Sequence, residues 1–339
     1  MTDVKIEYER EIGHCEVSPY VKEVTIKEIT KAVNSDRLYV ITFEEMGWNC
    51  VTALTTYEVG QKVTFIPPES VLPIELGDKL DITKYLSKGR VKVASFRGNR
   101  SEGIIVDKSI VEPYLPYIMK WEDLPTYGMM GDQISPSDVP YGFVKFYKMP
   151  NILNEPNTFK VGDEIWYSEK LHGSSSRYAW LKHPHTEEYN FYVGSHEIVF
   201  KLDSEKEPVY KLVVKGFEDR FPKDIEFFAE VYGMGIQDLH YGAKRPEFRI
   251  FAGFRDGKYI KIGELIDMCA FYQLPVVQFH KTFFESLEQI RAIADEPSEY
   301  TNAHMREGIV MVSAQYPEKM AKCLSFKYLD RKGKKTERH

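Results

Sequence analysis

The stretch EIWYSEKLHG, at residues 164–173, combines a strand-like run with a lysine and a glycine. Residues 164–168 include β-branched and aromatic side chains, which predicts a β-strand. Lys170 stands at the end of that strand, and Gly173 permits a tight turn after it. A lysine in this place can act as a nucleophile toward the α-phosphate of a nucleotide, although the pattern K-x-H-G by itself is also typical of a solvated surface.

Four further elements follow the lysine in order, and this order is what favours a chemical role. They are AEVYG at 229–233, FRIF at 248–251, REGIVM at 306–311, and Lys322 with Lys327. The set supplies a lysine nucleophile, two carboxylates, an aromatic platform and late lysines. Nucleotidyl transfer through a covalent lysyl phosphoramidate requires these groups.

Strand alternation predicts where two of these side chains point. In the run IEFFAEV at 225–231 the odd positions form an apolar face, so Glu230 points to the opposite face. Phe251 shares a face with Arg249 and Arg255, where an aromatic ring is unusual. A stacking platform for a planar base would explain that ring, and a surface aromatic packed beneath arginine stems would explain it equally well.

The attacking amine must be neutral, but an unperturbed lysine has a pKa of roughly 10.4. A nearby metal ion or another lysine would lower that pKa by charge repulsion. Magnesium held by carboxylates, directly or through water, would do so and would also withdraw charge from the phosphate. Lys322 and Lys327 could stabilise the charge that develops on the phosphate oxygens. The sequence contains no Walker-type glycine-rich loop, so phosphate binding of the P-loop kind is not indicated.

Composition favours a β-rich protein of two domains inside a cell. Aromatic residues make up 14% of the 339 residues, and such side chains pack well on pleated sheets. The four cysteines are scattered without a C-x-x-C pair, which favours a reducing intracellular compartment over disulfides or zinc. The charged amino terminus does not resemble a signal peptide, and no apolar run is long enough to span a membrane.

The amino-terminal half resembles a small β-barrel. Strand-like runs at 38–43, 62–66, 90–96 and 101–106 are separated by turn residues, which makes the OB-fold the natural candidate. Such barrels often bind nucleic acid through a basic face. Four residues could form that face, with ordinary surface arginines as the alternative: Arg90, Lys92, Arg97 and Arg100. The net charge of the whole chain, −6, does not support nucleic-acid binding, although a local basic groove could still contact phosphates.

The order of motifs resembles the covalent nucleotidyltransferase superfamily of polynucleotide ligases and capping enzymes. The phrase EVYGMGIQ at 230–237, together with His172, is similar to ATP-dependent RNA ligases rather than DNA ligases. Segments at 35–38, 47–48, 59–63 and 67–73 resemble the OB module of RNA ligases of the Deinococcus and Naegleria type, the closer likeness being to the Naegleria type. DNA ligases and capping enzymes usually place their OB domain after the transferase domain, and this order counts against both classes here.

The resemblance implies a fold class and domain bounds. We expect an α+β, β-rich protein with an N-terminal OB-fold barrel and a C-terminal antiparallel-sheet nucleotidyltransferase domain. The predicted bounds are 1–120 for the OB-fold domain, 121–145 for a linker and entry segment rich in Pro and Gly, and 146–339 for the adenylyltransferase domain. Helical spacing near 264–269 and 283–295 predicts two helices in the second domain, with Leu287, Ile290 and Ile293 facing its core.

The resemblance also implies an activity. Lys170 would accept AMP from ATP with Mg²⁺ or Mn²⁺, and RNA ends in a nicked or bridged duplex would be joined, without a membrane or an obligate protein partner. Glu169 would help read adenine, Phe251 would stack on it, and His172 and Gly173 would lie near the nucleoside. Glu230 and Glu307 would hold metal waters or ribose. Lys322 would contact the α-phosphate. Either Lys327 would substitute for a second lysine of the last motif, or one contact would be missing.

Two departures and two competing functions accompany this interpretation. The family usually has a Ser-Arg pair about 20 residues after the lysine, where this chain has Gly194-Ser195-His196. Its last motif usually has two lysines separated by one residue, whereas Lys322 is followed here by Cys323-Leu324. A GTP-dependent capping-type nucleotidyltransferase would retain GMP instead of AMP. A non-catalytic nucleic-acid-binding protein on a ligase fold would bind RNA and form no adduct.

Overall fold

The structure is a computed structural model and describes residues 21–53, 56–87, 89–120, 133–201 and 208–334. The amino-terminal segment used to predict the absence of a signal peptide lies outside these residues, as does part of the predicted linker. The chain divides into two compact units, Met1–Thr126 and Tyr127–His339. The predicted domain bounds stay a prediction. Within the described ranges, no helix is long and apolar enough to cross a membrane.

The first unit is built around a five-stranded antiparallel sheet. Its elements are β1 (Lys22–Lys31), β2 (Tyr39–Phe43), β3 (Asn49–Thr52), β4 (Lys62–Ile66), β5 (Ser70–Val71), α1 (Ile74–Lys79), β6 (Val93–Phe96), β7 (Asn99–Glu102), β8 (Ile104–Val106), α2 (Lys108–Val111) and β9 (Met119–Lys120). The strand order is β3-β2-β1-β4-β8. The backbone N–H groups of Asn49 and Val51 donate to the side chains of Glu102 and Ser101 at 3.2 and 3.0 Å. These bonds tie the first strand in the order to the segment that leads into the last, so the sheet is nearly closed.

Two of the predicted strands in this unit are shorter than expected. The run at 90–96 forms a strand only from Val93, because Arg90 makes isolated bridges to Val71 and Ser87. The run at 101–106 is divided between β7 and β8 at Gly103, whose φ of +91° interrupts a regular strand. The structure therefore contains the small barrel-like sheet that the sequence predicts. Its assignment to the OB-fold stays a prediction.

The second unit contains two antiparallel sheets. Its elements are β10 (Glu164–Glu169), β11 (Ser174–Lys182), β12 (Tyr189–Ser195), α3 (Val209–Leu212), β13 (Glu226–Tyr232), β14 (Glu247–Arg255), β15 (Lys258–Tyr259), α4 (Ile262–Phe271), β16 (Phe279–Phe283), α5 (Leu287–Ala294), β17 (Gly308–Ser313), β18 (Met320–Leu324) and α6 (Phe326–Lys334). One sheet has the order β16-β10-β17-β18 and the other β12-β11-β13-β14-β15. Apolar side chains of both sheets form one core, which includes Phe228, Ile250, Val312 and Met320.

The two predicted helices of this unit are present. The second begins later than predicted, since Phe283 ends β16 and Ser286 caps α5 by accepting a hydrogen bond from the Gln289 backbone N–H at 3.1 Å. Ile290 is fully buried, and Leu287 and Ile293 are half-buried, which confirms the core-facing stripe. The predicted β-rich class with antiparallel sheets is also confirmed.

Candidate active site

Lys170 follows the end of β10, and Glu307 precedes the start of the neighbouring strand β17, so the two residues lie side by side. Glu169 is the last residue of β10 and pairs with Ile309 of β17, and the Lys170 backbone N–H donates to the Gly308 carbonyl at 2.9 Å. The Lys170 ammonium donates to Glu307 Oε1 at 3.0 Å, although 137 residues separate the two in sequence. The antiparallel pairing therefore brings the predicted nucleophile to one of the two predicted carboxylates.

Charge, rather than exposure, governs the state of Glu307. Its side chain is 10% exposed, against 27% for Lys170. Burial opposes ionisation of the carboxyl, but the nearby Lys170 ammonium and His172 outweigh burial and lower the pKa of Glu307 to about 2. Glu307 is therefore an anion that orients the Lys170 ammonium.

Gly173 brings the third chemical group into place. A Cβ at this position would lie 2.1 Å from the Val231 carbonyl oxygen, so only glycine lets the turn after Lys170 pass this close to β13. The approach sets Ser175 opposite Glu230. Burial raises the pKa of Glu230 to about 7, with Lys170 acting against this rise and Glu307 adding to it. Lys170, Glu307 and Glu230 thus form one electrostatic cluster.

His172 is surrounded by side chains that the sequence did not single out. Its Nδ1 lies 3.2 Å from Glu307 Oε2, and its Nε2 lies 2.9 Å from Asp238 Oδ1. Its backbone N–H donates to the Tyr241 hydroxyl at 2.7 Å, and the Tyr328 hydroxyl lies 3.1 Å from Nδ1. No local sequence pattern marks either tyrosine, because both reach His172 from distant parts of the chain.

Glu169 takes part in holding a loop. Its side chain is 1% exposed, and Oε2 accepts a hydrogen bond from the Glu299 backbone N–H at 2.7 Å. The other oxygen, Oε1, is buried without a hydrogen-bond partner among the described residues. Burial raises the pKa of this carboxyl. One oxygen therefore anchors the loop, and adenine recognition by Glu169 stays a prediction.

Phe251 lies on the same face of its sheet as Glu230. The β13–β14 register shifts between Phe228 and Ala229, which makes Phe251 the extra residue of a β-bulge. Its ring packs edge-on against Phe146 at 5.0 Å, and Phe146 also contacts Phe228 at 4.9 Å. Because Phe228 and Glu230 alternate onto one face of β13, the bulge turns Phe251 toward that face.

The two late lysines lie in different places. Lys322 is directly opposite Val310, and alternation along β18 sets it on the face of Met320, which packs in the core between the sheets. Lys327 is exposed, and its ammonium donates to the Asp295 carbonyl at 2.9 Å, just past α5. Lys322 therefore lies on the face of β18 that packs between the two sheets. The ammonium of Lys327 contacts the carboxyl end of α5.

Arg177 of β11 lies opposite Gly194, in the segment that stands where the family usually has its Ser-Arg pair. Arg177 is fully buried and donates through Nε to the Ser195 carbonyl at 2.8 Å and through Nη1 to the Val144 carbonyl at 2.8 Å. Its Nη1 lies 4.0 Å from Oε1 of the buried Glu226. His196 is half-exposed and lies beside Glu197 at 3.5 Å.

A protein-family model described as RNA ligase matches residues 163–329, which include every residue of the cluster around Lys170. These residues belong to the RNA ligase family. No individual curated protein matches the chain at a significant level.

Solved structures of the Naegleria gruberi RNA ligase share the fold of this chain. The ligase with PPi is 18% identical, with a TM-score of 0.74 over 93% of this chain and 99% of that chain. A mutant with ATP and Mn is 18% identical, with a TM-score of 0.75 over 93% and 100%. A mutant with AMP and Mn is 18% identical, with a TM-score of 0.73 over 92% and 98%.

The carboxylates of the RNA ligase domain fit a divalent metal that is shared with a substrate. Within the part of the chain that the structure describes, no three His, Cys, Asp or Glu side chains are grouped to hold a metal by themselves. Glu230 and Glu307 offer the one or two carboxylates with which Mg²⁺ is commonly bound, the remaining positions being taken by water and phosphate oxygens. The residues present therefore fit Mg²⁺ or Mn²⁺ in company with a nucleotide.

The four basic residues predicted to bind nucleic acid differ in exposure. Arg90 is 8% exposed and pairs with Glu69 at 3.2 Å, so its guanidinium is engaged inside the first unit. Arg97 is exposed in the two-residue turn between β6 and β7, and Lys92 and Arg100 are half-buried. A role for these four residues in nucleic-acid binding stays a prediction.

Proposed function

We propose that this protein is an ATP-dependent RNA ligase that joins a 3′-hydroxyl to a 5′-phosphate through lysyl-AMP and RNA-adenylate, in RNA repair. The observation that carries the proposal is the 3.0 Å contact between Lys170 Nζ and Glu307 Oε1 inside an RNA ligase domain. Structures of the Naegleria gruberi ligase with ATP and Mn and with AMP and Mn support the choice of nucleotide and metal.

The first step is adenylylation of Lys170. The neutral Nζ attacks the α-phosphorus of ATP, a P–N bond forms, and the bond from that phosphorus to the β-phosphate oxygen breaks and releases pyrophosphate. Glu307 is a weak base, because its pKa is about 2, and it orients the amine. The proton that the amine loses passes to solvent. Burial raises the pKa of Glu230 to about 7, and a metal ion beside Glu230 would lower that pKa and keep the group a carboxylate.

The following steps transfer AMP and close the RNA strand. An oxygen of the RNA 5′-phosphate attacks the same phosphorus, and the P–N bond breaks to return Lys170. The 3′-hydroxyl then attacks the activated 5′-phosphate, a phosphodiester forms, and AMP leaves. Lys322 would stabilise charge on the α-phosphate, and RNA ends held in a nicked or bridged duplex would be the substrate.

Glu230 and Glu307 would hold Mg²⁺ or Mn²⁺, directly or through water. The metal would neutralise phosphate charge and lower the pKa of Lys170 by repulsion. Glu169, Phe251, His172 and Gly173 would surround the nucleoside. The position of Phe251 on the sheet face that carries Glu230 supports its role as a stacking partner.

Intact mass after incubation with ATP and Mg²⁺ tests the proposal. Wild type should gain the mass of one AMP, and so should Lys182→Met, which removes an exposed lysine paired with Glu187. Lys170→Met should gain nothing. The mass before incubation is measured first, because protein purified with AMP attached would show no further gain. A GMP adduct in place of AMP would favour a capping-type enzyme, and no adduct with either nucleotide would overturn the proposal.

A further inference from the structure

His172 is fixed by side chains from three separate segments. Asp238 follows β13, Tyr241 lies three residues later, Glu307 precedes β17, and Tyr328 lies in α6. These residues contact the ring nitrogens or the backbone N–H of His172 at 2.7–3.2 Å. A ring with one neighbour could rotate about its χ angles, whereas this ring has a partner on each nitrogen.

Tyr328 is itself held firmly. It is 1% exposed, and its ring meets the His172 ring at an angle of 63° with 5.4 Å between centroids. The start of α6 is tied down by Asp295, whose Oδ1 accepts hydrogen bonds from Ser325 Oγ at 3.0 Å and from the Phe326 backbone N–H at 2.8 Å. The position of the Tyr328 hydroxyl is therefore set by packing and not by His172 alone.

The orientation of His172 has a consequence for the nucleophile. The two carboxylate oxygens of Glu307 have different partners. Oε1 accepts a hydrogen bond from the Lys170 ammonium, and Oε2 lies beside His172 Nδ1. If the imidazole turned away, Oε2 would lose its partner and the carboxylate could rotate. Rotation would move the oxygen that holds Lys170 Nζ, and a shift of about 1 Å at a reacting atom can lower a rate by about 100-fold.

We propose that Tyr328 and Asp238 are positioning residues for Lys170, which act through His172 and Glu307. The contacts run from Asp238 to His172, from His172 to Glu307 and from Glu307 to Lys170, with Tyr328 placed against the ring from the carboxy-terminal helix. Neither residue is expected to touch the reacting atoms. This inference rests on the proposed function, because its effect is on the formation of lysyl-AMP.

The test measures single-turnover formation of lysyl-AMP over a range of ATP concentrations. Tyr328→Phe keeps the ring and removes the hydroxyl, and we expect the rate at saturating ATP to fall by about 10-fold to 100-fold with little change in the ATP dependence. Asp238→Ala should behave similarly. Asp238→Asn should recover much of the rate, because an amide oxygen can still accept from Nε2.

Tyr178→Phe is the matched control. The Tyr178 hydroxyl is also buried and donates to the Tyr210 carbonyl at 3.0 Å, on the face of β11 opposite to Arg177. Both phenylalanine variants should lose similar stability in thermal unfolding, but only Tyr328→Phe should show a slower rate. A wild-type rate in Tyr328→Phe and in Asp238→Ala would overturn the inference while leaving the proposed function intact.

A second readout does not depend on activity. The ring ¹⁵N resonances of His172, assigned by their loss in His172→Asn, should shift in Tyr328→Phe and stay in place in Tyr178→Phe. Unchanged resonances in Tyr328→Phe would overturn the inference. If wild type forms no adduct with ATP, the proposed function fails, and the positioning role fails with it.

Discussion

Lys322 pairs with Val310 across β17 and β18, and this register turns its side chain toward the face that packs between the two sheets of the RNA ligase domain. Lys327, five residues later, is exposed, and its ammonium donates to the Asp295 carbonyl. The two lysines that sequence reasoning treated as one element therefore have separate surroundings.

This separation predicts different outcomes for the two alanine variants. Lys322→Ala should reduce lysyl-AMP formation by about 10²-fold to 10³-fold, as expected when a charge-stabilising donor is removed. Lys327→Ala should keep a rate close to wild type and lose about 0.3–1 kcal/mol of stability, because its ammonium lies at the carboxyl end of α5. Single-turnover adenylylation and urea unfolding measure both. An equal reduction in rate in the two variants would contradict the assignment.

Gly173 should tolerate no side chain. In Gly173→Ala the new Cβ would clash with the Val231 backbone, and we expect a loss of about 1–3 kcal/mol together with weaker adenylylation, because β11 would move away from β13. Gly263→Ala in α4 is the matched control, since its Cβ would meet nothing within 4 Å. That variant should be neutral or more stable by about 0.5–1 kcal/mol. Urea unfolding of both proteins decides the matter.

Three residues of the candidate site could be selected from local sequence patterns and from the order of the motifs along the chain. Lys170 follows a strand, Glu230 alternates against an apolar face, and Glu307 opens a strand, so motif order was enough to select them. The structure shows that these three residues lie close together, because β10 pairs with β17 and because Gly173 lets the chain approach β13 closely.

The residues around His172 could not be predicted in the same way. Tyr328 lies 156 residues from His172 in sequence, and a buried tyrosine in a helix looks like any other core residue until the fold is known. The bulge at Phe251 and the burial of Glu169 also depend on neighbouring strands and loops. Such long-range packing leaves no signal in the spacing of a single sequence.

Glu226 should make stability depend on pH. Burial raises its pKa to about 8, while a hydrogen bond from the Val144 backbone N–H and the charge of Arg177 act in the opposite direction. Because the folded pKa is above the unfolded value of 4.5, the stability from this group is fully present below pH 4.5 and is lost as the pH rises through about 8.

Glu226→Gln removes this titration. The difference in unfolding free energy, variant minus wild type, should therefore increase from pH 5 to pH 9. Glu264→Gln, at an exposed pair with Arg255, should show no such trend. Urea unfolding at several pH values is the measurement. A difference that stays constant from pH 5 to pH 9 would instead identify Glu226 and Arg177 as an ion pair that is charged throughout this range.

The Lys170–Glu307 contact should appear as coupling in a double-mutant cycle. Lys170→Met leaves a buried carboxylate without its ammonium, and Glu307→Gln leaves the ammonium without its anion. The double variant should therefore lose less stability than the sum of the single variants, by about 0.5–3 kcal/mol. Urea unfolding at pH 7 measures the cycle, and additive losses would show that the two groups do not interact in solution.

RNA binding by the first unit should depend on Lys92, Arg97 and Arg100. Each phosphate that a basic side chain neutralises releases condensed counterions. The triple alanine variant should therefore weaken binding and reduce the slope of log affinity against log salt by about 1 for each phosphate that is no longer neutralised. Lys84→Ala removes an exposed lysine paired with Asp81 in the same unit and should leave the slope unchanged.

Arg90→Ala should behave differently from the triple variant, because Arg90 is engaged with Glu69 in the interior. We expect it to lower the unfolding temperature of the protein while the salt slope stays near that of wild type. Fluorescence anisotropy with a labelled nicked RNA duplex at several salt concentrations measures the slopes. A triple variant with the slope of wild type would move the RNA-binding surface away from these residues.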